Sequence, residues 1–255
     1  MFSTSGLAAQ VIQTIEQTEL SETPFAHLHL RTAFPPEVYE RILSCLPETR
    51  FYGELQHDDA RLPNGRSARR KLELRPAQLR RLPAEQRAFW TQIGAALTSP
   101  LLTNAFKNRF APVLENRFGR SARAIAFHPA AMLLRDLGGY KISIHCDSFR
   151  KAVTTQYYLP AATTQTHIGT AFHTRDAIGN FTQVKRLEFA PNTGYAFPVT
   201  AESWHSVEQM TSADGERNSL MVIYYIDQGP FGEMVNRLKR VAQDVRARLP
   251  ATRMM

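Results

Sequence analysis

The stretch "GYKISIHCDSF", residues 139–149, decides how the rest of the chain is read. From Tyr140 to Asp147 the residues alternate. An extended segment therefore carries Ile142, Ile144 and Cys146 on one face and Lys141, Ser143, His145 and Asp147 on the other. The apolar face is expected to meet a core. The polar face offers an imidazole and a carboxylate two residues apart and pointing the same way, which suits either a metal or a hydrogen-bonded polar cluster.

Working outward, period-two and short apolar runs dominate after Ser121: "ARAIAFHPAAMLLRD", "AVTTQYYL", "TGYAFPV", "WHSVEQM" and "SLMVIYYI". Several antiparallel strands at short spacing argue for a sandwich or barrel, with Trp204 and the "VIYYI" run expected in its core. Before this region, Leu7, Val11, Ile12 and Ile15 recur at helical spacing, and "FAHLHL" at 25–30 alternates like a strand. Val38, Ile42, Cys45 and Leu46 share a helical face between prolines, and Phe89, Trp90, Ile93 and Leu97 predict a helix from Ala84 through Leu97. The tail returns to helical spacing with Met234, Leu238, Val241 and Val245. With no repeat, low-complexity tract or linker, the expectation is one domain over 1–255. It comprises a mostly helical support at 1–120, a β core at 121–228 and a C-terminal helix at 229–255.

Composition excludes several classes. A 255-residue chain that is 43% hydrophobic has material for a large core. No window approaches the roughly 18 apolar residues of a membrane span. The first residues lack the basic start and apolar run of a signal peptide, so a cytoplasmic location is expected. Cys45 and Cys146 give no disulfide framework. The net charge is +8, but segment 61–81 holds eight basic residues and one acidic, hence +7 of it. That segment would cover an anionic substrate, dock on an acidic partner, or simply solvate a loop and helix start.

A second histidine sharpens the metal reading. His205 opens an alternating strand in "AFPVTAESWHSVEQM", well beyond Asp147. Two histidines and one carboxylate occupy one face of a metal and leave the opposite positions open, as non-haem iron requires. A structural zinc wants a closed fourth ligand, and Cys146 is expected on the wrong face to supply one. In "DGERNSLMVIYYI", Arg217 and Ser219 share one face of the next strand. A guanidinium fork with a hydroxyl beside it suits a carboxylate. If 204–209 and 217–226 pair as a hairpin, Arg217 lies beside the His205 strand, at a distance a short dicarboxylate would bridge.

On these residues the chain resembles the Fe(II)/2-oxoglutarate-dependent dioxygenase superfamily. His145, Asp147 and His205 match its H-x-D…H triad, and "RNS" at 217–219 matches its R-x-S element. The resemblance spans roughly 121–228, and the N-terminal helices look like the supports that precede the family's core. It implies a mainly β fold with flanking helices, a double-stranded β-helix (jelly roll, cupin-like). It also implies Fe(II) on His145, Asp147 and His205, and 2-oxoglutarate on that iron with its far carboxylate on Arg217 and Ser219. O2 would be consumed, succinate and CO2 released, and a C–H bond hydroxylated. Retention of Asp147 favours hydroxylation or a related oxidation over halogenation, because the similar halogenases carry a small residue there.

The substrate is expected to be a small metabolite, for which an anionic or carrier-bound group would use segment 61–81. A protein side-chain hydroxylase and a non-catalytic jelly-roll binding module are the alternatives. Nucleic acid is disfavoured, since the dealkylase branch has a longer R-x-N-x-T-x-R element and Ile223 stands where its second arginine would be. His27 and His29 lack a carboxylate partner in sequence and are expected to face solvent. His167, His173 and Arg175, in and just after "QTHIGTAFHT", would either line a substrate cavity or belong to a polar loop.

Overall fold

The computed structural model describes residues 3–226. The helix expected at 229–255, with its Met234, Leu238, Val241 and Val245 stripe, lies outside the described residues.

Six helices occupy the first half: α1 (Thr4–Gln17), α2 (Pro36–Ser44), α3 (Pro76–Leu79), α4 (Ala84–Leu97), α5 (Pro100–Arg109) and α6 (Ala111–Phe118). Ser3 caps α1, its hydroxyl accepting from the Gly6 N–H at 3.0 Å. Proline opens α2, α3 and α5, where its missing N–H costs nothing. Four short strands are interleaved with these helices: β1 (Leu20–Ser21), β2 (His27–Leu30), β3 (Gly53–Glu54) and β4 (Arg69–Glu73). The second half is strand-rich: β5 (Phe127–Asp136), β6 (Ile142–His145), β7 (Lys151–Tyr158), β8 (Thr170–Arg175), β9 (Phe181–Leu187), β10 (Gly194–Pro198), β11 (His205–Val207) and β12 (Arg217–Ile226).

These strands form two antiparallel sheets. The larger runs β1-β2-β10-β7-β12-β5-β4-β3 and the smaller β6-β11-β8-β9. From β5 to β12 the chain wraps back and forth between them, four strands to each, which is a jelly roll. The first four strands lengthen the larger sheet at both edges. They are therefore part of the β structure, not only a helical support.

Period two sorts β12 cleanly. Leu220, Val222 and Tyr224 join α1, α2, α4 and α5 in the main core beneath the larger sheet, where Trp90 and Phe106 are fully buried. Arg217 and Ser219 face the other way, into the space between the sheets. That space holds a second cluster including Tyr140, Phe172, Tyr195 and Phe197. Each large apolar side chain buried in either core contributes roughly 1.5–3 kcal/mol, which holds the helical layer to the sheet.

Two expectations need correction. β11 and β12 do not form a hairpin: β11 pairs with β6 and β8, and β12 with β5 and β7, so they belong to opposite sheets. Strict alternation also fails in β6. His145 pairs with His205 and Ile142 with Val207, so three steps on β6 match two on β11, a bulge. The bulge switches parity, allowing Ile142 to pack against the inter-sheet cluster while His145 also turns toward His205.

Candidate active site

At one end of the jelly roll, β6 and β11 bring His145 and His205 together with ring centroids 4.3 Å apart. Asp147 follows β6 and joins them, so that one ligand atom of each residue lies within 4.8 Å of the others. Both imidazoles are set up the same way. His145 Nδ1 lies 2.9 Å from the Ser143 carbonyl and His205 Nδ1 2.9 Å from the Ser203 carbonyl. A carbonyl can only accept, so each Nδ1 carries the proton and each Nε2 keeps its lone pair, the form a metal needs. Burial holds both rings below the ordinary imidazole value, His205 down to about 4, and they are neutral at pH 7.

Asp147 is buried, which alone would raise its pKa. Lys151 above all, then His205 and two hydrogen bonds, bring it down to about 2. Lys151 Nζ donates to Oδ1, and Thr154 Oγ1 donates to Oδ2 at 2.5 Å. Thr154 stands on the inward face of β7, so the larger sheet orients a carboxylate that the smaller sheet supplies. The set of two neutral imidazoles and one carboxylate fits a divalent iron with open positions.

Deeper between the sheets, Arg217 is fully buried. Its Nε donates to the Ile168 carbonyl at 2.9 Å and its Nη1 to Asp136 Oδ2 at 2.8 Å, while the guanidinium lies over the rings of Tyr158 and Phe189. Nη2 is buried with no partner. Arg69, also buried, brings Nε to 3.1 Å from Asp136 Oδ1, a charge contact without the alignment of a hydrogen bond. Two guanidiniums and one carboxylate leave an uncompensated positive charge inside the jelly roll. Beside it, Ser219 Oγ accepts from Gln156 Nε2 at 2.7 Å, and Gln156 Oε1 accepts from Tyr195 at 2.6 Å. The Ser219 proton stays available for donation. An orphaned donor in so buried a place is uncommon, and it is suited to an anion. The arrangement fits the far carboxylate of 2-oxoglutarate.

The basic segment 61–81 therefore has a different place from the one expected. Arg69 sits in the interior, Arg66 and Arg70 pair with Glu54, and Lys71 pairs with Glu73. Part of its charge is met by carboxylates within the chain, while Arg80 and Arg81 are exposed. The reason is tertiary: β4 pairs with β5, which brings Asp136 opposite Arg69.

Other residues also depart from expectation. His27 is fully buried, its Nδ1 2.8 Å from the Phe25 carbonyl and its Nε2 3.2 Å from Lys185 Nζ. The ring packs edge-on against Phe172, so it is a core residue and not a solvent-facing one. Trp204 is half-buried on the outer rim of the smaller sheet, while Val222, Ile223 and Tyr224 of the "VIYYI" run are core. His167 pairs with Asp214 at the surface, and His173 with Ser206 on the smaller sheet. Lys151, Thr154 and Asp136 were not singled out from sequence. Only the alternation of "KAVTTQYY" places Thr154 inward, and nothing local reveals its partner.

No family model matches the chain, and no curated protein matches it in sequence. Solved structures do. A prolyl-4-hydroxylase from Pseudomonas putida is similar over 86% of this chain and 98% of its own, at 15% identity and a TM-score of 0.50. An oxidoreductase of the 2OG-Fe(II) oxygenase family from Burkholderia pseudomallei covers 88% of this chain and 93% of its own, at 16% identity and a TM-score of 0.47. At such identity the first likeness establishes the jelly-roll fold alone. No helix among the described residues is long and apolar enough to cross a membrane.

Proposed function

We propose that the protein is a non-haem Fe(II)/2-oxoglutarate-dependent dioxygenase that hydroxylates an unactivated C–H bond of a small metabolite. The observation that carries this reading is a pairing of sites in one interior. A His145–Asp147–His205 cluster stands at the mouth, and a buried guanidinium with an orphaned Nη2 stands deeper in. Bound iron would supply the oxidative chemistry, in which R–H, 2-oxoglutarate and O2 give R–OH, succinate and CO2.

The chain's own residues do the rest. His145 and His205 present Nε2 because Ser143 and Ser203 hold Nδ1. Thr154 fixes the Asp147 carboxylate plane so that one oxygen can turn to the metal. Arg217 and Ser219 hold the far carboxylate of the cosubstrate, and Asp136 keeps the guanidinium charged and in place. Tyr158, Phe189 and Phe197 exclude water around these groups, which strengthens every charge contact among them.

An anaerobic titration of the apo-protein with Fe(II) and 2-oxoglutarate tests the reading through the visible metal-to-ligand charge-transfer band. The band is expected in the wild type, absent in His205→Ala, and to need much more 2-oxoglutarate in Arg217→Met. A folded wild type that gives no band would overturn it.

A further inference from the structure

Arg175, at the end of β8, and Glu202, in the turn before β11, line one cleft of about 630 Å³ on the outer rim of the smaller sheet. Both are exposed, and neither makes an ion pair among the described residues, with the other or with any third group. Opposite charges in one cleft that stay apart leave room for something between them. Arg175 is held in place as well: its guanidinium lies 5.5 Å from the Trp204 ring centroid and 5.6 Å from that of Phe181, and the two rings pack edge to face. Stacking covers the flat side of a guanidinium and leaves its N–H edge free for an anion. Because the rotamer is already restrained, less entropy is lost when the anion arrives.

The cleft lies on the outer face of the smaller sheet, whereas His205 turns inward onto Phe197. Ala201 lines it, and the Ala201 carbonyl accepts from Cys146 Sγ at 3.3 Å. Cys146 and Trp204 each neighbour a residue of the His145–Asp147–His205 cluster in sequence, and the period of two turns their side chains to the opposite face. We infer that this cleft takes a free α-amino acid, its carboxylate on Arg175, its ammonium on Glu202 and its side chain along Trp204. The amino acid is assigned as a ligand of this outer cleft, and the assignment does not rest on the dioxygenase reading.

The test is a titration of the full-length, metal-free protein with each proteinogenic amino acid, read by tryptophan emission. The chain has two tryptophans, and Trp90 is fully buried in the helical core, so a response belongs to Trp204 and vanishes in Trp204→Phe. At least one amino acid is expected to give a saturable change. Its amide and its N-acetyl derivative should each bind about tenfold more weakly or worse, the value of one charge-assisted hydrogen bond. Arg175→Gln should remove the preference for the free carboxylate, and Glu202→Gln the preference for the free ammonium. Both positions are exposed, and circular dichroism verifies the fold. No response at millimolar concentrations, or equal binding of the blocked derivatives, would overturn the inference. A charge-transfer band without amino-acid binding sinks this inference alone. Binding without a band upholds the site and sinks the dioxygenase reading.

Discussion

Arg69 and Arg217, from β4 and β12, converge on the two oxygens of a single buried carboxylate, Asp136. Removing the shared counter-ion leaves two buried cations facing each other, whereas removing Arg69 leaves a balanced pair. Asp136→Asn is therefore expected to cost about 3–5 kcal/mol of stability, the penalty of an uncompensated buried charge, and Arg69→Met distinctly less. Denaturant unfolding measures both. Equal losses would show that Asp136 is not the common partner.

Thr154 and Lys151 both donate to Asp147 but should affect metal affinity in opposite directions. Thr154 holds Oδ2 without adding charge, so Thr154→Val is expected to weaken Mn(II) binding by about 10-fold or more, as loss of a ligand's supporting hydrogen bond does. Lys151 places a cation where a metal also needs negative charge, and it engages Oδ1. Lys151→Met is expected to tighten Mn(II) binding. Electron paramagnetic resonance of free Mn(II) reads either constant without turnover. A weakened Lys151→Met would mean that the ammonium orients Asp147 and does not compete with the metal.

Much of the site was legible because it depends on local order. An H-x-D pair, a histidine opening a strand, and an R-x-S pair on one strand face all survive as sequence signals. The helix over Ala84–Leu97 likewise follows from its apolar period. What escaped was decided by partners distant in the chain. The segment "RRKLE" reads as a solvated charged stretch because only Leu72 marks it as a strand, yet β5 places Asp136 opposite its first arginine. The β6 bulge is likewise invisible to a period-two count, since the extra residue is set by pairing with β11. Helices α5 and α6 were missed individually because polar residues interrupt their apolar faces and prolines punctuate them.

Acid should weaken the fold through the histidines of β2. Burial first, then Lys185, Arg31 and His27, lower the pKa of His29 from its ordinary 6.5 to about 4. Between those values the unfolded chain takes up a proton that the folded one refuses, so stability falls as pH drops from about 6.5 toward 4 and then levels. His27 shifts in the same direction. Thermal unfolding across this range is expected to show a declining Tm, and His29→Gln should flatten part of the decline. An unchanged slope in His29→Gln would assign the acid sensitivity elsewhere.

Gly169 precedes β8 at a point where a Cβ would stand 1.8 Å from the Leu187 carbonyl oxygen. No rotamer change relieves that clash, because the obstructing atom belongs to the backbone of β9. Gly169→Ala must therefore push β8 and β9 apart at their paired ends, where Thr170 meets Leu187. Ile168, the neighbour on the other side, supplies the carbonyl that accepts from Arg217 Nε. The displacement should reach the Arg217 site first, since His205 pairs with Phe172, two residues further along β8. The expected outcome is a lowered Tm together with weakened 2-oxoglutarate binding, measured in the charge-transfer titration, and an Mn(II) affinity close to the wild type. A variant that loses metal and cosubstrate affinity in equal measure would show that β8 and β11 move as one rigid frame and do not hold the two sites separately.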